Sequence, residues 1–580
     1  MFAERRNRRT IHEALIGVDV RYLHRDEICQ RAEYRAHHQP QESLLKKLSA
    51  TLIKRLKLKD AVLAEAATSR NLLPNEPMWD KVSAEAGQIA GFLENQLRAG
   101  FQPSPQVEIA ARKPAHGVRP IPYWGTLERV AYRSLTAAAV ADLDPLDRSP
   151  QAYLNFITEP GRYARDRQPA GTSKKLAEFF FYVESPVKYV VKSDITAFYQ
   201  FIDHAVLAEE LLLLGVNFEL IEALMELLAE VQGRSYGLPQ LFDASDMLSD
   251  LYADRIERDL LRSGFAVWRF NDDFRVACDS YADTLTAIEA LDAAARRVGL
   301  VLSEHKTVTV GIVKYIFDAF DLTPSQAGQT VNVDDVEDIV GDYTDDFGKE
   351  DADAAFDVIR KAVVRSSDFN PDPDESRSID LGSLRGEDVR LLRRAINGLT
   401  LAGDARGIGE IVRLAVYAPS LTPNLMRYLR AIGKGLEPDD DAWDEIVNAV
   451  DRLAGDVALN AWQNLWLIDV VHDLDLLSGG LDDKEAVNRR AQWVDDLRRD
   501  TTNEALRAAA TRALAAQGLV SVTSVIAAAD RTSNALLHIY ASAGIEGARL
   551  LTGPEAMAAQ KEIAAWAKNS KLHACLLEET

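Results

Sequence analysis

Cysteine is scarce in this chain of 580 residues, which has three, at positions 29, 278 and 575. Because they lie far apart in sequence, they exclude a disulfide framework and a zinc cluster, and they fit a reducing cytoplasm. Long apolar runs are also absent, since none reaches the roughly 20 residues that a membrane helix needs. The basic start, residues 1–9, is followed by no apolar segment or cleavage site and does not predict a signal peptide. We therefore expect a cytoplasmic protein without a membrane partner.

Positive charge is in short supply over most of the chain. There are 67 Lys and Arg against 89 Asp and Glu, which gives a net charge of −22. Residues 1–190 nevertheless carry 29 basic and 22 acidic side chains, a net +7, so that the remainder carries −29. The basic part allows a local contact with phosphate, although a merely solubilising role explains it equally well. The acidic remainder argues against a long wrapped duplex and favours a short or single-stranded product.

The composition is that of a folded protein, with 47% hydrophobic and 27% charged residues, and the length allows two or three domains. Residues 1–110 predict mainly helices, among them Ser43–Leu58 and Trp79–Leu97. A strand is predicted over Val308–Leu322. From Leu381 onward, helical patterns alternate with short Gly, Asp or Pro breaks. The helices predicted there include Asp388–Leu399, Ile408–Val416, Thr422–Ile432, Trp443–Leu453 and Ala458–Leu474. We predict an α+β fold with domains at residues 1–325 and 326–580, the second all-α and similar in shape to HEAT-like helical repeats.

The most informative segment is Ala266–Cys278, in which apolar and polar residues alternate on both sides of Asp272-Asp273. This alternation predicts two short strands joined by a tight turn that carries the carboxylates. Adjacent acids repel each other, so a divalent cation would explain the pair, although an isolated pair can also be a solvated turn. A third acid, Asp194, follows the apolar run Tyr189–Val191. A strand-borne Asp upstream of an Asp-Asp hairpin is typical of a two-metal nucleotidyl-transfer site.

Five segments, in this order, resemble the motifs of reverse transcriptases. They are Arg119–Pro122 preceded by Lys113 (fingers), Asp194–His204 (motif A), Gly237–Gln240 with Ser245 (motif B), Phe270–Asp273 (motif C) and Gly299–Thr307 (motif D). Together they cover residues 110–320. Many bacterial members of this family have Gly after the Gln of motif B and Pro after its Ser, whereas this chain has Leu241 and Asp246 and no clear thumb pattern. A palm with an eroded motif B and a long helical tail is similar to the abortive-infection (Abi) and unknown-group reverse transcriptases of bacterial phage defence.

The resemblance implies a fingers and palm fold that synthesises DNA from deoxynucleoside triphosphates with two Mg²⁺ ions. Asp194 and Asp272 would hold the ions, Asp273 would be the supporting acid, and Ile195 would offer its backbone carbonyl to one ion. Lys306 would protonate the pyrophosphate that leaves. From the residues alone, a capping role for Asp194 stays open.

The resemblance also implies four nucleotide-binding residues. Lys113 and Arg119 would contact the triphosphate, and Gln240 would contact the nucleotide or the template. Tyr199 would fill the space that a ribose 2′-hydroxyl needs, which implies a preference for deoxynucleotides. Lys113 as an ordinary surface lysine and Tyr199 as a core aromatic stay open as alternatives. We predict that two histidines beside these motifs, His204 and His305, are structural.

The Abi-like resemblance implies a role in antiphage defence, with template-independent, protein-primed synthesis of single-stranded DNA that is attached covalently to a tyrosine. The helical tail carries no chemical motif of its own and suggests either assembly, for which we expect a homo-oligomer, or handling of the product. Two alternatives stay open. One is a templated reverse transcriptase that copies a dedicated non-coding RNA, which would make RNA a partner. The other is a nucleic-acid-binding scaffold with an inert palm, against which the intact Asp194, Asp272, Asp273 and Lys306 count.

Overall fold

The computed structural model describes residues 45–114, 117–143, 146–168, 185–320, 352–367, 386–437, 440–478 and 483–568. The fold is mixed α+β and mainly helical. The predicted domain boundary after residue 325 lies outside the described residues, as do Cys29 and Cys575. No helix in these ranges is both long and apolar enough to cross a membrane.

The N-terminal part is helical and leads into a β-hairpin. Its elements are α1 (Ala50–Arg55), α2 (Leu58–Ala67), α3 (Trp79–Ala84), α4 (Ala86–Ala99), β1 (Val107–Arg112) and β2 (Val118–Tyr123). Of the two helices predicted here, Ser43–Leu58 is wrong over the described residues before its N-cap Ser49, because the helix begins only at Ala50, and Trp79–Leu97 is divided in two. Lys57 has a positive φ of 46°, which interrupts the first, and Glu85 has a ψ of 21°, which interrupts the second. The strands β1 and β2 pair in antiparallel fashion, and we call them the fingers hairpin.

A four-stranded antiparallel sheet follows, in the order β4-β5-β3-β6. Its strands are β3 (Tyr189–Asp194), β4 (Ala266–Phe270), β5 (Asp273–Cys278) and β6 (Val308–Gly311). The helices around it are α5 (Thr126–Ala139), α6 (Pro150–Asp166), α7 (His204–Leu213), α8 (Phe218–Gln232), α9 (Asp243–Arg262), α10 (Tyr281–Arg297) and α11 (Ile312–Phe320). The strand predicted over Val308–Leu322 is wrong beyond Gly311. Ile312 and Tyr315 are buried there at a three-residue spacing, which is the period of a helix face and not of a strand.

The described residues after 351 form helices only. These are α12 (Ala352–Ser367), α13 (Gly386–Ala402), α14 (Ile411–Tyr417), α15 (Thr422–Gly433), α16 (Asp441–Gly455), α17 (Ala461–Asp473), α18 (Lys484–Asp500), α19 (Glu504–Ala515), α20 (Val522–Ala529), α21 (Leu537–Arg549) and α22 (Gly553–Lys568). Four of the helices predicted from the sequence are among them, and the fifth, Ile408–Val416, is a 3₁₀ segment up to Glu410 and α14 from Ile411. A HEAT-like repeat is not confirmed, because helix lengths range from 7 to 17 residues and 3₁₀ segments interrupt the series.

The fingers hairpin shares one hydrophobic core with the C-terminal helices. Ile109 and Ala111 of β1 and Ile121 of β2 are fully buried among residues of these helices. On β1 the intervening side chains are exposed, so the strand shows the alternation of a half-buried strand. Two tryptophans of α17, Trp462 and Trp466, donate indole hydrogen bonds to the carbonyl of Leu72, at 2.6 and 3.3 Å. The helices therefore support the hairpin from its inner side. A second core lies under the sheet and joins it to helices α1–α5 and α7–α10.

A buried cluster of charges joins the same parts. Glu76, in the loop before α3, lies 2.9 Å from Arg129 of α5 and 3.1 Å from His538 of α21. Burial alone would raise the pKa of Glu76, but Arg129 and His538 hold it well below its usual range. Since an unpaired charge is costly in a protein interior, the buried carboxylate of Glu76 requires its partners Arg129 and His538 to be in place. The cluster therefore fixes α21 relative to α5.

We expect Trp462→Ala to lower the free energy of unfolding by about 3–5 kcal/mol, because it empties a fully buried site and leaves the Leu72 carbonyl without this donor. Urea unfolding followed by far-UV circular dichroism measures the change. Leu401→Ala is the control, because Leu401 is 58% exposed and should change stability by less than about 0.5 kcal/mol. Equal effects of the two substitutions would contradict the shared core.

Candidate active site

Three carboxylates meet at one end of the sheet. Asp194 is the last residue of β3, and the antiparallel register places it directly opposite Asp273, the first residue of β5. Asp272 precedes Asp273 in the turn that joins β4 to β5. Asn271, the other residue of this turn, has a φ of 55°, a left-handed conformation that Asn tolerates better than most residues. The predicted hairpin is confirmed, and we call β4, β5 and their turn the carboxylate hairpin.

The closeness of these acids changes their proton affinity. Burial raises the pKa of Asp272 to about 7, and the negative charges of Asp194 and Asp273 add to the rise. Burial also raises the pKa of Asp194, with Asp273 acting in the same direction and Lys306 in the opposite one. Like charges at close range favour neutralisation, either by a proton or by a cation. The carboxylates at this end of the sheet therefore favour the binding of a positively charged group.

Lys306 supplies one positive charge. Its Nζ lies 3.1 Å from Oδ1 of Asp194. The turn that carries Lys306 is tied to β3, because the backbone N–H of Ser303 donates to the carbonyl of Asp194 at 2.8 Å. Burial would lower the pKa of Lys306, but the pairing with Asp194 raises it, so the ammonium group is held in its charged form.

Two further cations come from the fingers hairpin. The backbone N–H of Lys113 donates to the carbonyl of Gly117 at 2.9 Å, which closes the hairpin. Burial, Arg119 and Lys306 lower the pKa of the Lys113 amine, while Asp194 and Asp272 act in the opposite direction. Lys113 is therefore close enough to both the cations and the acids to respond to their charge. The structure thus brings Lys306 and Lys113 close to the carboxylates, and it places Arg119 near Lys113 on the fingers hairpin.

The residues present fit magnesium in combination with a substrate. Within the described ranges, no group of three or more His, Cys, Asp or Glu side chains is arranged to hold a metal ion by itself. Mg²⁺ commonly takes only one or two protein carboxylates and completes its shell with water and substrate phosphates. The bridge between Ile195 and Leu302 uses the carbonyls of Asp194 and Val301, and it leaves the carbonyl of Ile195 outside the ladder. Asp194, Asp272, Asp273 and the carbonyl of Ile195 are thus hard oxygen ligands of the kind that Mg²⁺ prefers.

Tyr199 lies beside this centre in a polar network that the sequence did not predict. Its hydroxyl donates to Oδ1 of Asp246 at 2.5 Å. Arg148, from the segment between α5 and α6, contacts Tyr199, Asp246 and Asn271. No motif or periodicity marks Arg148, since it is one arginine in a loop between two helices. Asp246 stood out only as a departure from the family pattern.

The loop before α9 is attached to the turn that carries Tyr199. The N–H of Gly237 donates to the carbonyl of Ile202, and that of Leu238 to the carbonyl of Tyr199, both at 2.7 Å. Gly237 has a φ of 90°, and a Cβ there would come within 3.1 Å of the carbonyl of Gln200, so glycine is required. In the part of the chain that the structure describes, no hydrogen bond joins Gln240 to the carboxylates or to Tyr199. Its contact with nucleotide or template stays a prediction.

The loop also explains one departure from the family pattern. Leu241 has a φ of 66°, in the region that favours glycine. Its side chain packs against the core that the fingers hairpin shares with the C-terminal helices. We infer that this packing offsets the backbone strain, which is on the order of 1 kcal/mol. Where the reverse transcriptases that this chain resembles have glycine, Leu241 connects the loop to that shared core.

His204 has the structural role predicted for it. Its Nε2 lies 2.7 Å from the carbonyl of Gly237, and burial lowers its pKa to about 4. The ring is therefore neutral at physiological pH and holds the loop by donating a hydrogen bond. His305 is exposed on the turn that carries Lys306.

A family model described as "Reverse transcriptase (RNA-dependent DNA polymerase)" matches residues 112–319. The chain therefore contains a reverse transcriptase domain. The match begins at the end of β1 and ends within α11, so that it includes β2, the four-stranded sheet and the residues of the candidate site. A domain of this family implies a nucleotidyltransferase that polymerises nucleotides, with nucleic acid and nucleotides as its substrates. No curated protein is detectably similar to the chain.

The raised pKa of Asp272 predicts how stability depends on pH in the presence of a chelator. Between pH 4 and 7 the folded state keeps a proton that the unfolded chain has lost, so stability falls as the pH rises through this window. We expect Asp272→Asn to reduce this loss of stability by about 1–2 kcal/mol. The reduction is not larger because solvent screens part of the charge at this half-buried turn. Urea unfolding at pH 5 and pH 8 measures it. Asp279→Asn, at an exposed site beyond β5, should behave like the parent, and an unchanged slope in Asp272→Asn would contradict the assignment.

Proposed function

We propose that this protein is a DNA polymerase of the reverse transcriptase type that uses deoxynucleoside triphosphates and two Mg²⁺ ions. The observation that carries the proposal is the β3–β5 register, which sets Asp194 opposite Asp273 with Asp272 beside them. Lys306 pairs with Asp194, Lys113 lies near enough to Asp194 and Asp272 to respond to their charge, and Arg119 adds positive charge beside Lys113. A triphosphate needs both features, because its own negative charge must be neutralised before a nucleophile can approach. When bound, Mg²⁺ would supply that neutralisation and lower the pKa of the attacking hydroxyl.

The protein residues would divide the remaining work. Asp194, Asp272 and Asp273, with the Ile195 carbonyl, would hold the ions at the end of the sheet. Lys113 and Arg119 bind the triphosphate from the fingers hairpin. Burial and the neighbouring cations lower the pKa of Lys113, which means that its charged form is destabilised, and a phosphate partner would stabilise that form. Gln240 contacts the nucleotide or the template.

Lys306 would act on the leaving group. Its ion pair with Asp194 keeps it protonated and close to the site where the triphosphate is cleaved. If Asp194 held a metal ion, its carboxylate would neutralise Lys306 less, and the ammonium group would be available to the phosphates. Lys306 then donates its proton to an oxygen of the departing pyrophosphate, which is general acid catalysis.

The C-terminal helices would serve the polymerase by supporting its fingers hairpin. The hairpin carries Lys113 at its tip, while its inner face is buried against helices such as α17. We propose that the segment 326–580 is a second, all-α domain with this supporting role, and that it also mediates homo-oligomer formation.

We further propose that the enzyme acts in antiphage defence and that it starts synthesis on a tyrosine without a template. The similarity to Abi and unknown-group reverse transcriptases supports this, as does the net charge of −29 after residue 190, which disfavours a long duplex. The product would be single-stranded DNA that remains attached to the protein. A metal site of this kind requires only a positioned hydroxyl that can lose its proton, and a tyrosine offers one.

Two other functions are compatible with parts of the structure. A templated enzyme that copies a dedicated non-coding RNA would use the same centre, and RNA that co-purifies with the protein would favour it. An inert scaffold would need only a surface that binds nucleic acid, and no catalytic centre. The paired Lys306 and Asp194 favour an active centre over a scaffold, because they serve no obvious purpose in binding alone.

Asp272→Asn should reduce Mg²⁺-dependent incorporation of deoxynucleotides by about 100-fold or more, because it removes charge that faces the cations. Incorporation of labelled deoxynucleotides by the purified protein measures it, with circular dichroism to verify the fold. Asp279→Asn should retain parental activity, since Asp279 pairs with Arg167 at an exposed position. Near-parental synthesis by a folded Asp272→Asn protein would refute the two-metal assignment.

Protein priming predicts a nucleotide on a tyrosine. The structure narrows the candidates, because the hydroxyl of Tyr199 is engaged by Asp246 and several other tyrosines are buried. The exposed ones among the described residues are Tyr236, Tyr281 and Tyr417. Digestion with protease and nuclease, followed by mass spectrometry, should find a nucleotide on one tyrosine, and substitution of that tyrosine by Phe should abolish synthesis. DNA that separates fully from the protein in denaturant, with no modified peptide, would indicate a free or RNA primer instead.

A further inference from the structure

Arg148 connects the residue that would face the nucleotide sugar with the carboxylate hairpin. Its Nη2 donates to Oδ1 of Asn271 at 3.0 Å and to the carbonyl of Asp246 at 3.2 Å. Its Nη1 lies 3.3 Å from the hydroxyl of Tyr199 and 3.2 Å from Oδ1 of Asp246. The planar guanidinium group therefore reaches three separate elements: α9, the 3₁₀ turn at Phe198–Gln200 and the β4–β5 turn. Because an arginine can hold such a fork rigidly, it fixes these elements relative to one another.

The position of the Tyr199 ring is determined by this network. The phenol has one proton, which it gives to Asp246, and its oxygen accepts from Arg148. These two contacts define where the hydroxyl lies, and the ring packs at a steep angle to Phe198 with centroids 5.5 Å apart. Burial raises the pKa of Tyr199 well above its usual range, with the charge of Asp246 adding to the rise, so the phenol stays protonated and remains a donor. Without the network, rotation about the side-chain torsions would move the ring.

The network also reaches the turn that carries Asp272. Asn271 precedes Asp272 and has a positive φ, and its carbonyl accepts from Arg269 at 3.0 Å while its side chain accepts from Arg148. Arg269 is in turn paired with Asp250 of α9 at 2.7 Å. The turn is thus fixed from its side chain and from its backbone. A displacement of Arg148 would affect the Tyr199 ring and the carboxylate hairpin together.

We propose that Arg148 and Asp246 are positioning residues that determine sugar specificity, because they fix the ring of Tyr199 where a ribose 2′-hydroxyl would lie. The inference rests on the proposed polymerase function and adds two residues to it. Asp246 accounts for a second departure from the family pattern, since a proline at this position could not accept the hydrogen bond from Tyr199. The expected ligand remains a deoxynucleoside triphosphate, which is selected by exclusion of its ribonucleotide counterpart.

The test compares kcat/KM for deoxynucleotides with kcat/KM for ribonucleotides in the purified full-length protein. Arg148→Met and Asp246→Ala should each lower this ratio by about 10-fold, the effect expected from loss of a charged hydrogen bond, and Tyr199→Ala should lower it further. Tyr199→Phe should lower the ratio about as much as Asp246→Ala. The double variant Tyr199→Phe/Asp246→Ala should lower it little further, because both changes break the same hydrogen bond between Tyr199 and Asp246. Arg162→Met is the control, since Arg162 is exposed on α6 and should keep the parental ratio.

The outcomes separate the inference from the function on which it rests. Arg148→Met and Asp246→Ala proteins that are folded, active and as selective as the parent would overturn the inference and leave the polymerase intact. A parent that incorporates both sugars equally would also overturn it. A parent that incorporates no nucleotide would overturn the proposed function, and this inference with it. Thermal unfolding of each variant shows whether a lower ratio arises in a folded protein, because a general loss of stability should reduce both kcat/KM values alike.

Discussion

Electrostatic repulsion among three carboxylates is the constraint on which the rest of this site depends. The antiparallel pairing of β3 with β5 sets Asp194 and Asp273 side by side, and the tight turn adds Asp272. Each of these acids would be easier to accommodate alone, because burial already raises the pKa of Asp272 and the charges of Asp194 and Asp273 raise it further. The surrounding structure responds with positive charge from two sides, Lys306 from the sheet edge and Lys113 from the fingers hairpin. A site in which buried carboxylates repel one another is suited to a ligand that brings cations with it.

The positive side of the site depends on parts of the chain that are distant in sequence. Lys113 lies at the tip of a two-stranded hairpin, and an isolated hairpin of this size is marginally stable in water. Its inner face is completed by helices that begin more than 200 residues later, among them α17 with Trp462 and Trp466. The loop that contains Leu241 packs against the same core. The C-terminal helices therefore support the nucleotide-binding face of the domain through side-chain packing, although they contribute no candidate catalytic residue.

The network of Arg148 shows how polar contacts refine a site whose outline is set by the backbone. The register of the sheet determines which acids meet, whereas the orientation of Tyr199 depends on two hydrogen bonds to side chains from other elements. Such contacts have the directionality that apolar packing lacks. Ribose and deoxyribose differ by a single hydroxyl group. To discriminate between them, the Tyr199 ring must stay in one position, and directional hydrogen bonds can hold it there.

The sequence by itself determined the carboxylate hairpin, the strand that ends at Asp194, the order of the five motifs and the helical character of the C-terminal part. These features are local, since alternation, turn residues and helical periods can be read within about ten residues. Only the tertiary structure decided that α11 and not a strand follows Gly311, that the helices support the fingers hairpin, and that Leu241 and Asp246 have packing and hydrogen-bonding roles. Arg148 belongs to this second group. Its partners are 51, 98 and 123 residues away, and no local pattern records which side chains a folded chain will bring together.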